Sequence, residues 1–146
     1  MSKFIKGSKK VLNAWAFYDW ANSVYSLTIV SAVFPLFIGA YLDMMNIEKV
    51  TIFGGEIAHT ALISYVTALG FLIVAIISPI LSGIADYRGN KKFFLRFFCY
   101  MGAFSCMALY FFSVEQIYIS LLFYMLALIG FWASLVFYNS YLPDIA

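Results

Sequence analysis

Charge is scarce in this chain. Nine of its 146 residues are lysine or arginine and seven are aspartate or glutamate, so 11% are charged. A soluble domain carries about 25%. A net charge of +2 is too small to suggest a nucleic-acid partner. Cysteine is almost absent too. Cys99 and Cys106 lie seven apart in an apolar stretch, about 10 Å apart on a helix and too far for a disulfide. They read as packing residues and carry no information on redox compartment. The lone histidine, His59, opens the second apolar run and reads as an interfacial residue. The sequence contains no Walker motif, no metal-ligand cluster and no nucleophile–base arrangement. Enzymatic activity, a cofactor and a metal are therefore not expected.

What the chain has in abundance is apolar and aromatic surface. It is 64% hydrophobic and 21% aromatic, with a mean hydropathy of +0.93. Crossing a bilayer core takes about 20 apolar residues in a helix. Four runs qualify, at about 11–42, 57–85, 93–112 and 117–142. They are continuous and lack strand alternation, which predicts helices rather than barrel strands. The expected fold is an all-α, polytopic membrane bundle in a single unit, 1–146. The first run is too long for a cleaved signal peptide and has no small-residue cleavage pattern. Pro35 and Pro79 fall inside the first and second runs, and both are expected to kink them. The segment from Asp43 to Glu56, with Gly54-Gly55, reads as the one connection of any length.

The few basic residues are placed unevenly. Lys3, Lys6, Lys9 and Lys10 precede the first span, and Arg88, Lys91, Lys92 and Arg96 join the second to the third. The connection between the first two spans has only Lys49, set against Asp43, Glu48 and Glu56. The third turn carries Glu115 and no basic residue. By the positive-inside rule the basic side is cytoplasmic. Both termini are then cytoplasmic, in a multi-pass protein of the cell (inner or plasma) membrane.

"LSGIADYRGNKKFF", residues 81–94, is the most specific stretch. Ser82 and Gly83 are small enough to admit a neighbouring helix. Asp86 can accept hydrogen bonds from a facing helix N-terminus or pair with a cation. Gly89 suits the positive φ of a tight turn. Lys91 and Lys92 anchor the turn at an anionic leaflet. The stretch resembles the helix two–three signature of the major facilitator superfamily, G-x-L-A-D-R-x-G-R-[RK]-[RK]. Ile84, Ala85, Asp86, Gly89, Lys91 and Lys92 match it. Ser82 replaces the leading glycine, Tyr87 an arginine and Asn90 a basic residue, while Arg88 is displaced by one position.

Two further stretches narrow the resemblance. "WAFYDWANSVYS" (15–26) with "FPLFIGAYL" (34–42), and "VFYNSYLPDIA" (136–146), are similar to the first helix and the end of the fourth in the autophagy-related vacuolar amino-acid effluxers and their bacterial relatives. At about 100° per residue, Asn22, Ser23 and Ser26 lie within about 60° of Asp19, and Thr28 falls opposite. An acid inside a span is costly unless paired, protonated or wet. Two placements fit the sequence. Either Asp19, Asn22, Ser23 and Ser26 line a substrate or proton pathway, or Asp19 is an interfacial residue among Trp15, Tyr18 and Trp20.

The resemblance implies a secondary transporter that moves small solutes, amino acids among them, by alternating access. Such transporters hold their substrate between two six-helix halves. Four spans therefore imply the N-terminal third, lacking the remaining helices and not transport-competent alone. Its partners would be the lipid bilayer, a small-molecule solute in the complete protein, and the missing helices. Two other readings use the same four spans: a small exporter working as a dimer, and a non-transporting membrane scaffold. Ser64, Tyr65 and Thr67 fit either a pathway or interhelical hydrogen bonds. Gly130 and Ser134 read as a packing pair, the Phe-rich third span as lipid contact, and Tyr138 with Asn139 as a gate.

Overall fold

The computed structural model describes residues 8–47, 49–52, 54–111 and 115–145. Its architecture is the expected all-α membrane bundle, with four helical stretches long and apolar enough to cross a bilayer: Lys9–Met44, Thr60–Ala85, Lys91–Phe111 and Ile117–Asn139. The first is composite. Helix α1 (Lys9–Val24) passes into a π-helical segment, Tyr25–Val33, and then into α2 (Phe34–Met44). Pro35 is the second residue of α2, and within this continuous helical run its missing N–H removes one main-chain bond. The expected disturbance at this proline thus takes the form of a widened helical stretch just before it. Pro79 lies within α3 (His59–Arg88), which continues through it.

The connection between the first two spans is more ordered than its sequence suggests. Strands β1 (Lys49–Ile52) and β2 (Gly55–Ala58) pair antiparallel, with Lys49 opposite Ala58 and Ile52 opposite Gly55. Gly54, at φ 83°, makes the turn, a backbone region open to glycine at little cost. Lys49 Nζ reaches Glu56 Oε2 at 3.1 Å, an exposed pair that contributes at most about 1 kcal/mol. Val50 is buried with Leu42, Leu62, Ile117 and Leu121, so the hairpin caps one end of the bundle.

Helix α4 (Lys91–Ala108) and a short 3₁₀ turn, Leu109–Phe111, form the third span. Helix α5 (Ile117–Asn139) is the fourth, followed by a single turn, α6 (Leu142–Ile145). The core is built around α5. Thirteen of its residues are buried, against three in α4 and none in α1. The exposed large apolar residues of α5, Tyr118, Ile119 and Leu122, lie in its first two turns.

Lipid is as apolar as leucine, so helices in a membrane associate through close packing and hydrogen bonds. Both devices are visible. A Cβ on Gly130 would stand 2.7 Å from Gly102 Cα, so α4 and α5 meet backbone to backbone. A Cβ on Gly70 would meet Leu128 Cδ2 at 2.7 Å, where α3 crosses α5. A Cβ on Gly83, by contrast, would meet nothing within 4 Å. The close approach expected there occurs at Gly102 and Gly70 instead. In the third span the rings divide: Phe93, Phe97, Tyr100 and Phe104 are exposed, while Phe98 is buried and stacks on Phe137 at 5.9 Å.

Candidate functional site

The turn joining α3 to α4 ends α3 with a left-handed cap. Gly89 has φ 63°, and Asn90 N–H donates to Ala85 O at 3.1 Å. This six-to-one bond is the signature of a Schellman closure. It points α4 back along α3 and sets Lys91 at the start of α4, where its Nζ donates to Ser140 O at 3.3 Å beyond the end of α5. The turn thereby reaches across to the fourth span. Lys92 is exposed, and Ser82 is half-buried. The backbones of Asp86 and Arg88 belong to the last turn of α3, but their side chains lie outside the described residues.

The first span meets α5 along a line of aromatic rings. Trp15 and Tyr18 stack on Tyr138 with centroids 4.6 and 4.9 Å away, Tyr25 meets Phe131 at 4.6 Å, and Phe34 stacks on Tyr124 at 4.1 Å. Tyr138 Oη donates to the Trp15 carbonyl at 2.8 Å. Tyr18 Oη donates to Ser134 Oγ at 3.4 Å, and Ser134 spends its own proton on Phe131 O at 2.7 Å. Tyr138, expected as a gate residue, is thus a buried tether between the first and fourth spans. Asn139, its expected companion, is exposed at the end of α5.

This seam divides the polar residues of α1. The residues facing α5 and α4 are Trp15, Tyr18, Asn22 and Tyr25, at spacings of three and four that keep one helical face. Asn22 borders a cleft of about 160 Å³ with Tyr25, Cys99, Gly102, Cys106 and Ser134. Asn22 Nδ2 and Tyr25 Oη are buried there without a hydrogen-bond partner. Asp19 and Ser23 sit on the adjoining face and are exposed. Ser23 Oγ donates to the Asp19 main-chain carbonyl at 2.9 Å, and Ser26 Oγ to Ser23 O at 3.1 Å. The Asp19 carboxylate has no ion-pair partner among the described residues. Of the expected stripe, Asn22 alone borders this cleft. Asp19 and Ser23 share a face with each other and lie open.

Sequence reading had no signal for the tyrosine line, because aromatic residues are spread through every span. The spacing of Trp15, Tyr18 and Tyr25 was available, and only the partner helix made it meaningful. No metal-binding group of three or more His, Cys, Asp or Glu occurs among the described residues. The two cysteines are unpaired.

Comparison with known proteins finds one matching family and two curated relatives. The profile of the family described as "Vacuole effluxer Atg22 like" matches residues 7–146. A Bacillus subtilis (strain 168) protein named "Uncharacterized MFS-type transporter YxiO" is 38% identical over 141 residues, covering 97% of this chain and 31% of its own length. "Autophagy-related protein 22" of Pyricularia oryzae (strain 70-15) is 26% identical over 161 residues, covering 93% of this chain and 24% of its own length. The chain thus spans less than a third of either curated relative. No solved structure matches it significantly.

Proposed function

We propose, for a chain that belongs to the vacuole effluxer Atg22 like family, that it is a four-span portion of a major-facilitator transporter moving small solutes, amino acids among them, by alternating access. The observation that carries this reading is the family match over residues 7–146. The relatives' greater length supports the view that further helices complete the transporter. A substrate chamber between two halves needs walls that four spans do not supply, so the chain alone is not transport-competent. Asp19, Asn22, Ser23 and Ser26 form the substrate or proton pathway on the first span. The exposed face of Asp19 and Ser23 supports a position toward the chamber. The α3–α4 turn, with Asp86, Gly89, Lys91 and Lys92, acts as the cytoplasmic latch between spans.

The membrane is the cell (inner or plasma) membrane, with both termini cytoplasmic, in keeping with the distribution of lysine and arginine. Cysteines introduced singly at Thr51 and at Asn90, in a background lacking Cys99 and Cys106, test the orientation. An impermeant maleimide added to intact cells labels the Thr51 position and spares the Asn90 position; the reverse pattern inverts the topology.

Transport is tested in proteoliposomes with a labelled amino-acid mixture. The intact Bacillus subtilis relative is expected to accumulate label above empty vesicles, and the 146-residue chain to match empty vesicles. No uptake of any amino acid by the intact protein removes the substrate assignment. Uptake by the short chain alone removes the portion reading in favour of a small exporter acting as a dimer.

A further inference from the structure

In the second half of the first span, beside Val30 and Pro35, a cleft of about 360 Å³ opens between that span, α3 and α5. Val30, Pro35, Ser64, Thr67 and Tyr124 are among the residues that line it. Its chemistry follows from where each proton goes. Ser64 Oγ donates to Thr60 O at 3.0 Å, and Thr67 Oγ donates to Ile63 O at 2.8 Å. A threonine has one hydroxyl proton. The 3.1 Å contact between Thr67 Oγ and Tyr124 Oη is therefore a donation from the tyrosine. All three hydroxyls have spent their protons inside the protein, and each oxygen retains acceptor capacity.

The main chain adds a fourth acceptor. In the π-helical segment each carbonyl takes the N–H five residues on, and Phe34 N–H goes accordingly to Ile29 O. The next carbonyl is that of Val30, and its partner in this pattern would be residue 35. Residue 35 is proline and has no N–H to give. The Val30 carbonyl is left without that donor, and Val30 is one of the residues lining the cleft. Among the described residues that line it, the wall offers several oxygen acceptors, no spare side-chain donor and no fixed cation, which selects a ligand that only donates or is positively charged.

We infer that this cleft is a binding site for a small monovalent cation, either a primary ammonium group or Na⁺, held by Tyr124, Thr67, Ser64 and the Val30 carbonyl. Tyr124 is 1% exposed and its ring is stacked on Phe34, so its oxygen is positioned before the ligand arrives. Pro35 serves by withholding a hydrogen bond. The inference rests on the transporter reading only for the ligand's source, substrate ammonium or coupling ion.

Thermal unfolding of the purified chain in detergent, at constant ionic strength, separates the cases. Methylammonium chloride, sodium chloride and tetramethylammonium chloride are titrated in turn, the last bearing a charge but no N–H. Saturable stabilisation by methylammonium alone assigns a substrate amine, and by sodium alone a coupling ion. Competition between the two assigns one shared site. Tyr124→Phe and Thr67→Val keep the packing and are expected to weaken the apparent affinity at least tenfold. Pro35→Ala, which returns an N–H to the Val30 carbonyl, is expected to do the same without lowering the unliganded melting temperature. A flat response to all three salts, an equal response to tetramethylammonium, or full affinity in all three variants overturns the inference. Binding is read without transport, so its failure leaves the transporter reading standing.

Discussion

Tyr25 and Phe34 both set their rings against α5, the first tilted on Phe131 and the second stacked on Tyr124. On an uninterrupted α-helix, nine residues at about 100° each would put them on opposite faces. The π-helical segment Tyr25–Val33 changes the angular step between them and brings both rings to one side. Pro35 follows directly and gives the segment a fixed end. The long first span therefore follows α5 along its length instead of crossing it once.

Cross-linking tests that geometry. In a background without Cys99 and Cys106, the pair Tyr25→Cys with Phe131→Cys and the pair Phe34→Cys with Tyr124→Cys are each expected to join through a short bifunctional reagent. A straight helix permits one pair and not both. Mass spectrometry showing a link in one pair alone would refute the π-helical register.

Replacement of Gly130 by alanine is expected to destabilise the bundle by about 1–3 kcal/mol, the usual cost of overpacking. The added methyl would press on the Gly102 backbone, which has no flexible end to move aside. Gly39→Ala is the control, since a Cβ there meets nothing within 4 Å. A lower melting temperature for the Gly130 variant with an unchanged control is the expected result.

Tyr138→Phe removes the 2.8 Å bond to the Trp15 carbonyl and keeps the stacked ring. Interhelical hydrogen bonds in membranes are modest, averaging about 0.6 kcal/mol. The expected loss is about 0.5–1.5 kcal/mol, read by steric trapping or thermal unfolding. Tyr138→Ala, which also removes the stacking, should cost clearly more.

Asp19→Asn keeps the size of the side chain and removes its charge. Made at the matching position of the intact Bacillus subtilis relative, it is expected to abolish coupled uptake while expression and melting temperature stay as they were. Undiminished uptake would return Asp19 to the status of an interfacial residue.

Gly89→Ala places a Cβ on a backbone at φ 63°, which costs about 1–2 kcal/mol. The variant is expected to loosen the α3–α4 turn and raise its cleavage rate in limited proteolysis. Gly83→Ala, on the open face of α3, is expected to leave cleavage unchanged.

The sequence by itself determined the solvent and the count. Continuous apolar runs, the scarcity of charge and the clustering of lysine and arginine specify four membrane helices, because a bilayer tolerates few other arrangements. It also determined the cap at Gly89, since a short turn between two helices needs a residue at ease with positive φ. The tertiary structure decided which faces meet. In lipid an outward leucine costs no more than an inward one, so hydrophobic pattern does not mark the inside of a membrane helix. Asp19 and Asn22 illustrate this: three residues apart and grouped on the helical wheel, they divide between an open face and a packed cleft. What separates them is the position of α5, and that position follows from two glycines in contact and a π-helical stretch ahead of Pro35, whose combined effect is a property of the packed bundle.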